Sequence, residues 1–221
     1  MKVLVIGASR GIGLELVRQY RDEAHEVTGT VRSDAAANTL HSLGAASLRL
    51  DVADAASCAG LTWPLDGTRF DVVYINAGVS GPRLREFESP SQTDFDHVMH
   101  TNVLGPMRIL PLLPDVLAPG ARVAVLSSRM GSIALRAAAN AWLYRASKAA
   151  LNSVLKDASL VLGSRAVCVA LHPGWVRTDM GGAEADLPVV DSVAGIRRTV
   201  GRLGAADNGG FFNVDGTPLA W

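Results

Sequence analysis

The sequence predicts an α/β protein: a single-domain, Rossmann-like, doubly wound parallel sheet of about seven strands with helices on both faces. Three observations predict it. Short β-branched runs alternate with helical stretches along most of the chain, the pattern of βα units. The runs Val3-Leu4-Val5-Ile6, Val72-Val73-Tyr74-Ile75 and Val123-Ala124-Val125-Leu126 are apolar throughout, as strands covered by helices on two sides must be. Gly7, Gly11 and Gly13 stand between the first such run and the first helical stretch, where an open α/β sheet places its phosphate-binding turn.

Taken in order, residues 2–6 form a first strand, too short and too soon interrupted by glycine to be a secretory core. A helix follows over 12–23, then a strand at 26–31, a helix at 35–43 and a strand at 47–50. A short helix at 55–61 leads to the buried strand 70–75. Residues 91–117 read as one long helical stretch, but it contains Pro106, Pro111 and Pro114. Each proline removes a helix hydrogen bond and crowds the preceding turn. A break is therefore expected near Asn102, with a kink further on. Strand 122–127, helix 142–162, strand 166–171, helix 191–203 and a late strand at 210–214 complete a domain spanning residues 1–221.

Bulk properties narrow the function. The chain has 221 residues, 48% hydrophobic and 19% charged, which suits one domain with a full core. Its 21 basic and 21 acidic residues cancel, so no charge excess points to nucleic acid or a membrane surface. No apolar run approaches a membrane span. Cys58 and Cys168 have no metal-ligand spacing around them and read as buried thiols of a reducing, cytoplasmic compartment. No metal site is expected.

The glycine turn is spaced G-x-x-x-G-x-G. A tight turn that lets backbone approach a pyrophosphate, with the anion at a helix N-terminus, needs bare glycines there; a purely structural βα turn is the plainer alternative. At the end of the second strand, where NAD-preferring sites carry an acid, stands Arg32, and Arg10 projects from the glycine turn. Two guanidinium groups suit a 2′-phosphate. NADP(H) is therefore expected over NAD(H), with Ser33 as a lesser phosphate contact and two solvated arginines as the alternative.

Tyr144 and Lys148 lie four residues apart on the predicted helix and so share a face. Lysine is scarce, Lys2, Lys148 and Lys156 against eighteen arginines. A fixed cation beside a phenol favours the phenolate. Bringing a group of pKa about 10 into the range of pH 7 to 8 takes about 3–4 kcal/mol. A solvated lysine beside an unrelated tyrosine is the plainer reading of the pair alone.

Together the pieces resemble the short-chain dehydrogenase/reductase family over nearly the whole chain. They are Gly7-Ala8-Ser9-Arg10-Gly11-Ile12-Gly13, Asp51-Val52, Asn76-Ala77-Gly78, Thr101-Asn102-Val103-Leu104-Gly105, Ser127-Ser128, Tyr144 through Lys148, and Pro173-Gly174 with Val176 and Thr178. The stretch 172–182 and the ending 208–221 are similar to the C-factor/sniffer branch, which includes NADPH-dependent carbonyl reductases and a bacterial developmental signalling protein.

That resemblance implies roles. Tyr144 would give a proton in carbonyl reduction and take one in alcohol oxidation. Lys148 would lower the tyrosine pKa and hold the nicotinamide ribose. Ser128, three residues before Gly131, would fix the substrate oxygen. Its spacing of sixteen to Tyr144 exceeds the family's usual one through a small insertion within 131–143, which keeps Ser127 and Ser132 as candidates. Asn102 would link Lys148 to solvent through a water.

Asp51 would meet the adenine amino group, or merely start a helix. Asn76, Ala77 and Gly78 sit at a strand's carboxyl edge, where ligands bind, though they could simply turn the chain. Thr178 would meet the nicotinamide amide, or be an ordinary loop residue. Trp175 reads equally as substrate wall or packing.

The implied activity is NADP(H)-dependent interconversion of a ketone or aldehyde with an alcohol. The short segment 179–190 predicts an open site and loose selection. A homodimer or homotetramer is the family's habit. The main rival is a C-factor-like signalling protein with little turnover. A sugar-nucleotide epimerase would need a larger C-terminal substrate region than remains after Lys148.

Overall fold

The computed structural model describes residues 1–82 and 88–221. Its core is a sheet of seven strands, β1 (Lys2–Ile6), β2 (Glu26–Val31), β3 (Ala46–Arg49), β4 (Phe70–Ile75), β5 (Leu117–Leu126), β6 (Ala166–His172) and β7 (Phe211–Asn213). They lie in the order β3-β2-β1-β4-β5-β6-β7, and every pair is parallel. The order reverses between β1 and β4, and in open α/β sheets ligands bind beyond the carboxyl ends of the strands at such a point.

Helices cover both faces: α1 (Gly11–Asp22), α2 (Asp34–Ser42), α3 (Ala55–Ala59), α4 (Gln92–Met99), α5 (Gly105–Ile109), α6 (Trp142–Leu162) and α7 (Val189–Arg202). Strand residues alternate between the two cores, as side chains on a pleated strand must. Leu4 and Ile6 join Ile109, Leu151 and Leu155 on one side. Val3 and Val5 join Leu16, Leu40 and Ile196 on the other. This explains why the central strands are apolar at every position.

The stretch 91–117 departs most from expectation. After α4 the chain makes a π-helical turn, His100–Leu104, then α5, then 3₁₀ turns over Leu110–Asp115. Pro106 sits at the start of α5, directly after the π turn. Pro111 and Pro114 fall in the 3₁₀ segment, so the kink is a change of helix type. Leu117 belongs to β5, pairing with Phe70 before a register shift to Val72 and Arg122. The other elements differ from expectation by one or two residues at their ends, within ordinary fraying. No helix among the described residues is long and apolar enough to cross a membrane.

Candidate active site

The glycine turn leaves β1 and enters α1 over the switch point. Gly7 has φ +88°, and a Cβ there would stand 2.8 Å from the Ala77 backbone. The turn is fastened on both sides. The Gly7 N–H donates to Thr30 Oγ1 at 2.9 Å, and Asn76 Nδ2 donates to the Gly7 carbonyl at 2.7 Å. Asn76 thus braces the turn as well as lining the groove beside it. A Cβ on Gly13 would fall 2.0 Å from the Gly7 carbonyl oxygen, so this glycine is required for packing of the turn itself. Gly13→Ala is expected to lower stability by about 2–3 kcal/mol, read from the midpoint of urea unfolding; an unchanged midpoint would contradict this account.

From the turn runs a groove of about 340 Å³. Gly7, Ser9, Arg10, Gly11, Ile12, Arg32, Asp51, Val52, Asn76, Ala77, Gly78, Tyr144, Lys148, Pro173 and Thr178 all line it. Of the expected cofactor residues, Gly13, Gly174 and Val176 do not. Gly13 is packed beneath the turn, while Gly174 and Val176 line a second, larger cavity of about 820 Å³. Tyr144, Ser127, Ile12, Pro173, Thr178 and Met180 border both spaces. Tyr144 therefore stands where a molecule in the groove would meet one in the cavity.

Along the groove the two arginines differ. Arg10 is ion-paired with Asp179 across the rim, whereas Arg32 is exposed and in no ion pair among the described residues. Ser33, the lesser phosphate candidate, caps α2 by accepting from the Ala36 N–H at 3.3 Å. Asp51 closes a turn by accepting from the Ala53 N–H at 3.0 Å, and it still borders the groove. Thr178 lies against Gly11, whose φ is +55° and whose Cβ would meet the threonine methyl at 3.3 Å.

At the inner end, Lys148 is 5% exposed and donates to the Leu126 carbonyl at 2.8 Å. Its Nζ is 5.8 Å from the centre of the Tyr144 ring. Burial lowers its pKa from 10.5 to about 8. A Cβ on Gly131 would clash with the Lys148 backbone at 2.8 Å, so this glycine lets α6 press against the turn after β5.

Asn102, in the π turn, is fully buried. It accepts from the Val79 N–H at 2.8 Å and donates to the Val79 carbonyl at 2.8 Å and Ser147 Oγ at 3.0 Å. A Cβ on Gly78 would touch both Asn102 Oδ1 (3.3 Å) and Lys148 Nζ (3.5 Å).

The three serine candidates are separated by their partners. Ser127 donates to Asn152 Oδ1 at 2.5 Å, and Ser132 donates to the Ala220 carbonyl at 2.7 Å. Ser128 lines the cavity, and its hydroxyl faces the Tyr144 phenol, where it favours the phenolate.

Burial raises the Tyr144 pKa above 10, and the group opposing that rise is Ser128. The Lys148 ammonium, 5.8 Å from the ring centre, donates to the Leu126 carbonyl.

Several supports are not marked by any motif: Thr30 behind Gly7, Ser147 behind Asn102 and Asn152 behind Ser127. Their signal is weak, since a polar residue inside an apolar stretch tells of a partner but not which one. The insertion within 131–143 has a place in the site. Leu135, Ala137, Ala138, Asn140 and Ala141 form one wall of the larger cavity. Trp175 belongs to that cavity too, its indole N–H braced on the Gly181 carbonyl at 2.9 Å. The following segment is tied back, with Arg177 Nε donating to the Ala185 carbonyl at 2.7 Å.

A groove that begins at a glycine turn over the switch point and ends at a tyrosine defines a Rossmann-type oxidoreductase. The chain belongs to the short chain dehydrogenase family, whose pattern it matches over residues 1–186. It is 42% identical over 154 residues to the C-signal protein of Myxococcus xanthus, an alignment covering 68% of this chain and 92% of that protein. In structure it is similar to the carbonyl reductase Sniffer of D. melanogaster, with TM-score 0.92, 31% identity, and coverage of 100% and 99% of the two chains. The NADPH-bound carbonyl reductase from chicken fatty liver gives TM-score 0.89 and 31% identity, covering 100% of this chain and 98% of that one.

Proposed function

We propose that this chain is an NADP(H)-dependent carbonyl reductase, converting a ketone or aldehyde to an alcohol with Tyr144 as the proton donor. The observation that carries the reading is the place of Tyr144, at the junction of the groove and the larger cavity, with Ser128 facing its hydroxyl. The groove fits a dinucleotide: the glycine turn would admit a pyrophosphate, Arg32 a 2′-phosphate, and Lys148 the ribose hydroxyls. The carbonyl reductase structures, one of them holding NADPH, support the same reading. When bound, NADPH supplies the hydride that the carbonyl carbon gains.

The protein's own part is orientation and acid strength. Ser128 and Tyr144 both present hydroxyl donors to the oxygen on which negative charge develops, the kind of stabilisation that lowers a barrier most. As that oxygen takes the phenol proton, Tyr144 is left as phenolate. Asn102 would return a proton through a water, and its bonds to the Val79 backbone hold it in place for that. Asp51, Val52, Asn76, Ala77, Gly78, Pro173, Gly174, Val176 and Thr178 would complete the cofactor site. Two free buried cysteines support a cytoplasmic location, and a homodimer or homotetramer is in keeping with the family.

Monitoring NADPH absorbance against a panel of aldehydes, quinones and diketones tests the activity; the reading fails if none is reduced. For the cofactor, Arg32→Asp is expected to weaken NADPH by about 10- to 100-fold while changing NADH little. Arg10→Asp should do less, because Asp179 already neutralises Arg10. Equal losses for NADPH and NADH would contradict the assignment.

The likeness to the C-signal protein favours a second reading, a signalling protein that binds nucleotide with little turnover. Full rescue of a gene-deleted strain by Tyr144→Phe would favour that one.

A further inference from the structure

The larger cavity has a charge imbalance that carbonyl reduction does not require. Among the described residues Arg129 and Arg145 line it, and no aspartate or glutamate does. Arg145 is 9% exposed, covered although it lies at shallow depth. Two of its donors are engaged: Nε with the Asn140 carbonyl and Nη2 with Asn140 Oδ1, both at 2.7 Å. Both acceptors are neutral. Nη1 makes no hydrogen bond among the described residues, and neither Arg145 nor Arg129 is in an ion pair there. Instead, cations gather. The charge of Arg136 bears on Arg145, and that of Arg129 on His172, which also lines the cavity.

A largely covered guanidinium with no ion pair among the described residues keeps its charge uncompensated there, and a bound anion would supply the missing partner. The planar fork held on Asn140 has a fixed orientation, so its remaining edge is preorganised for a planar anion.

Arg145 directly follows Tyr144. On a helix, consecutive side chains leave about 100° apart, so an anion at Arg145 and a carbonyl at Tyr144 would occupy different sectors of one space. We infer that the substrate of this cavity is an oxo acid: an aldehyde or ketone whose carboxylate is bound by Arg145, with Arg129 adding to the attraction. The inference rests on the carbonyl reductase reading and names its substrate class. The carboxylate takes no part in the redox step; it fixes which end of the molecule reaches Tyr144.

Matched pairs test this. Reduction of 4-oxopentanoate and 6-oxohexanoate is compared with that of their methyl esters, using kcat/KM with saturating NADPH. At least one acid is expected to exceed its ester by about tenfold or more, the value of one charge-assisted pair. In Arg145→Met that ratio should collapse toward one through a higher KM for the acid, and Arg145→Lys should restore part of it. Arg129→Gln, away from the Asn140 contacts, should lower the ratio without depending on the fold around 137–141.

Equal rates for acid and ester in the wild-type protein, or a ratio that survives both Arg145→Met and Arg129→Gln, would overturn the inference while leaving carbonyl reduction intact. If neither acids nor esters are reduced, binding decides it separately. Trp175 lines the cavity, so its fluorescence in the NADP⁺ complex should respond to 6-hydroxyhexanoate at concentrations about tenfold lower than to hexane-1,6-diol. Arg145→Met should erase that difference, and no difference in the wild-type protein would sink the proposal.

Discussion

Tyr144→Phe is expected to lower kcat for carbonyl reduction by about 10²- to 10⁴-fold, the usual worth of a positioned general acid, while leaving NADPH affinity close to that of the wild-type chain. The split follows from where the residue sits. Its ring borders the groove and stays in phenylalanine, whereas the hydroxyl facing Ser128 is lost. Loss of an interaction that matters only as the proton moves depresses turnover rather than binding. NADPH titration by fluorescence and initial rates by absorbance separate the two, and undiminished reduction in the variant would end the proposed role.

The direction of the tyrosine's pKa shift adds a pH signature. Burial raises it above 10, so the phenol predominates throughout the neutral range. Reduction needs that protonated form and should show no loss attributable to Tyr144 below pH 10. Oxidation needs the phenolate, whose small fraction grows about tenfold per pH unit, so oxidation should climb steeply with pH. His172, pushed down to about 4, is neutral over the same range and should add no acidic limb above pH 5. A fall in reduction near pH 8 would report Lys148 losing its charge.

Much of this was legible in the residues. The sheet followed from runs apolar at every position, because strands covered on both faces permit little else. The groove followed from Gly7, Gly11 and Gly13, whose backbone demands exclude side chains. Where the sequence ran out, the missing information was long-range. Nothing local tells that the hydroxyls of Ser127 and Ser132 are already committed, to Asn152 and to a carbonyl eighty-eight residues away.

The π turn at Asn102 is legible only as a break, since prolines and an asparagine in an apolar stretch mark irregularity without specifying its hydrogen-bond pattern. Arg145 carries no signal in the sequence, because adjacent helical positions do not ordinarily share a cavity as Tyr144 and Arg145 do. For Tyr144 and Lys148, i and i+4 spacing gives proximity alone. It does not show that the ammonium would bond the Leu126 carbonyl.

Lys148→Met should separate stability from activity more sharply than any other change. Reduction is expected to fall to background, since no group would remain to hold the ribose hydroxyls or feed the proton relay. Yet the variant should be the more stable protein at pH 7. The lysine is 5% exposed, and burial has brought its pKa from 10.5 to about 8. That difference corresponds to about 3 kcal/mol spent on keeping the buried group charged.

The sign follows from proton binding. Below pH 8 both folded and unfolded chains hold the proton, and the folded state bears the full cost. Between about 8 and 10.5 the unfolded chain holds it and the folded one does not, so wild-type stability gains with rising pH. Above that range the cost is gone. Methionine matches the length of the stem and carries no charge, so it removes the penalty while forfeiting the bond to the Leu126 carbonyl, worth about 1 kcal/mol. The net gain expected at pH 7 is about 2 kcal/mol, or about 4–8 °C in Tm for a chain of this size. The advantage should shrink when melting is repeated at pH 9.5, and a variant less stable than wild type at pH 7 would show that Lys148 is a structural anchor rather than a cost borne for catalysis.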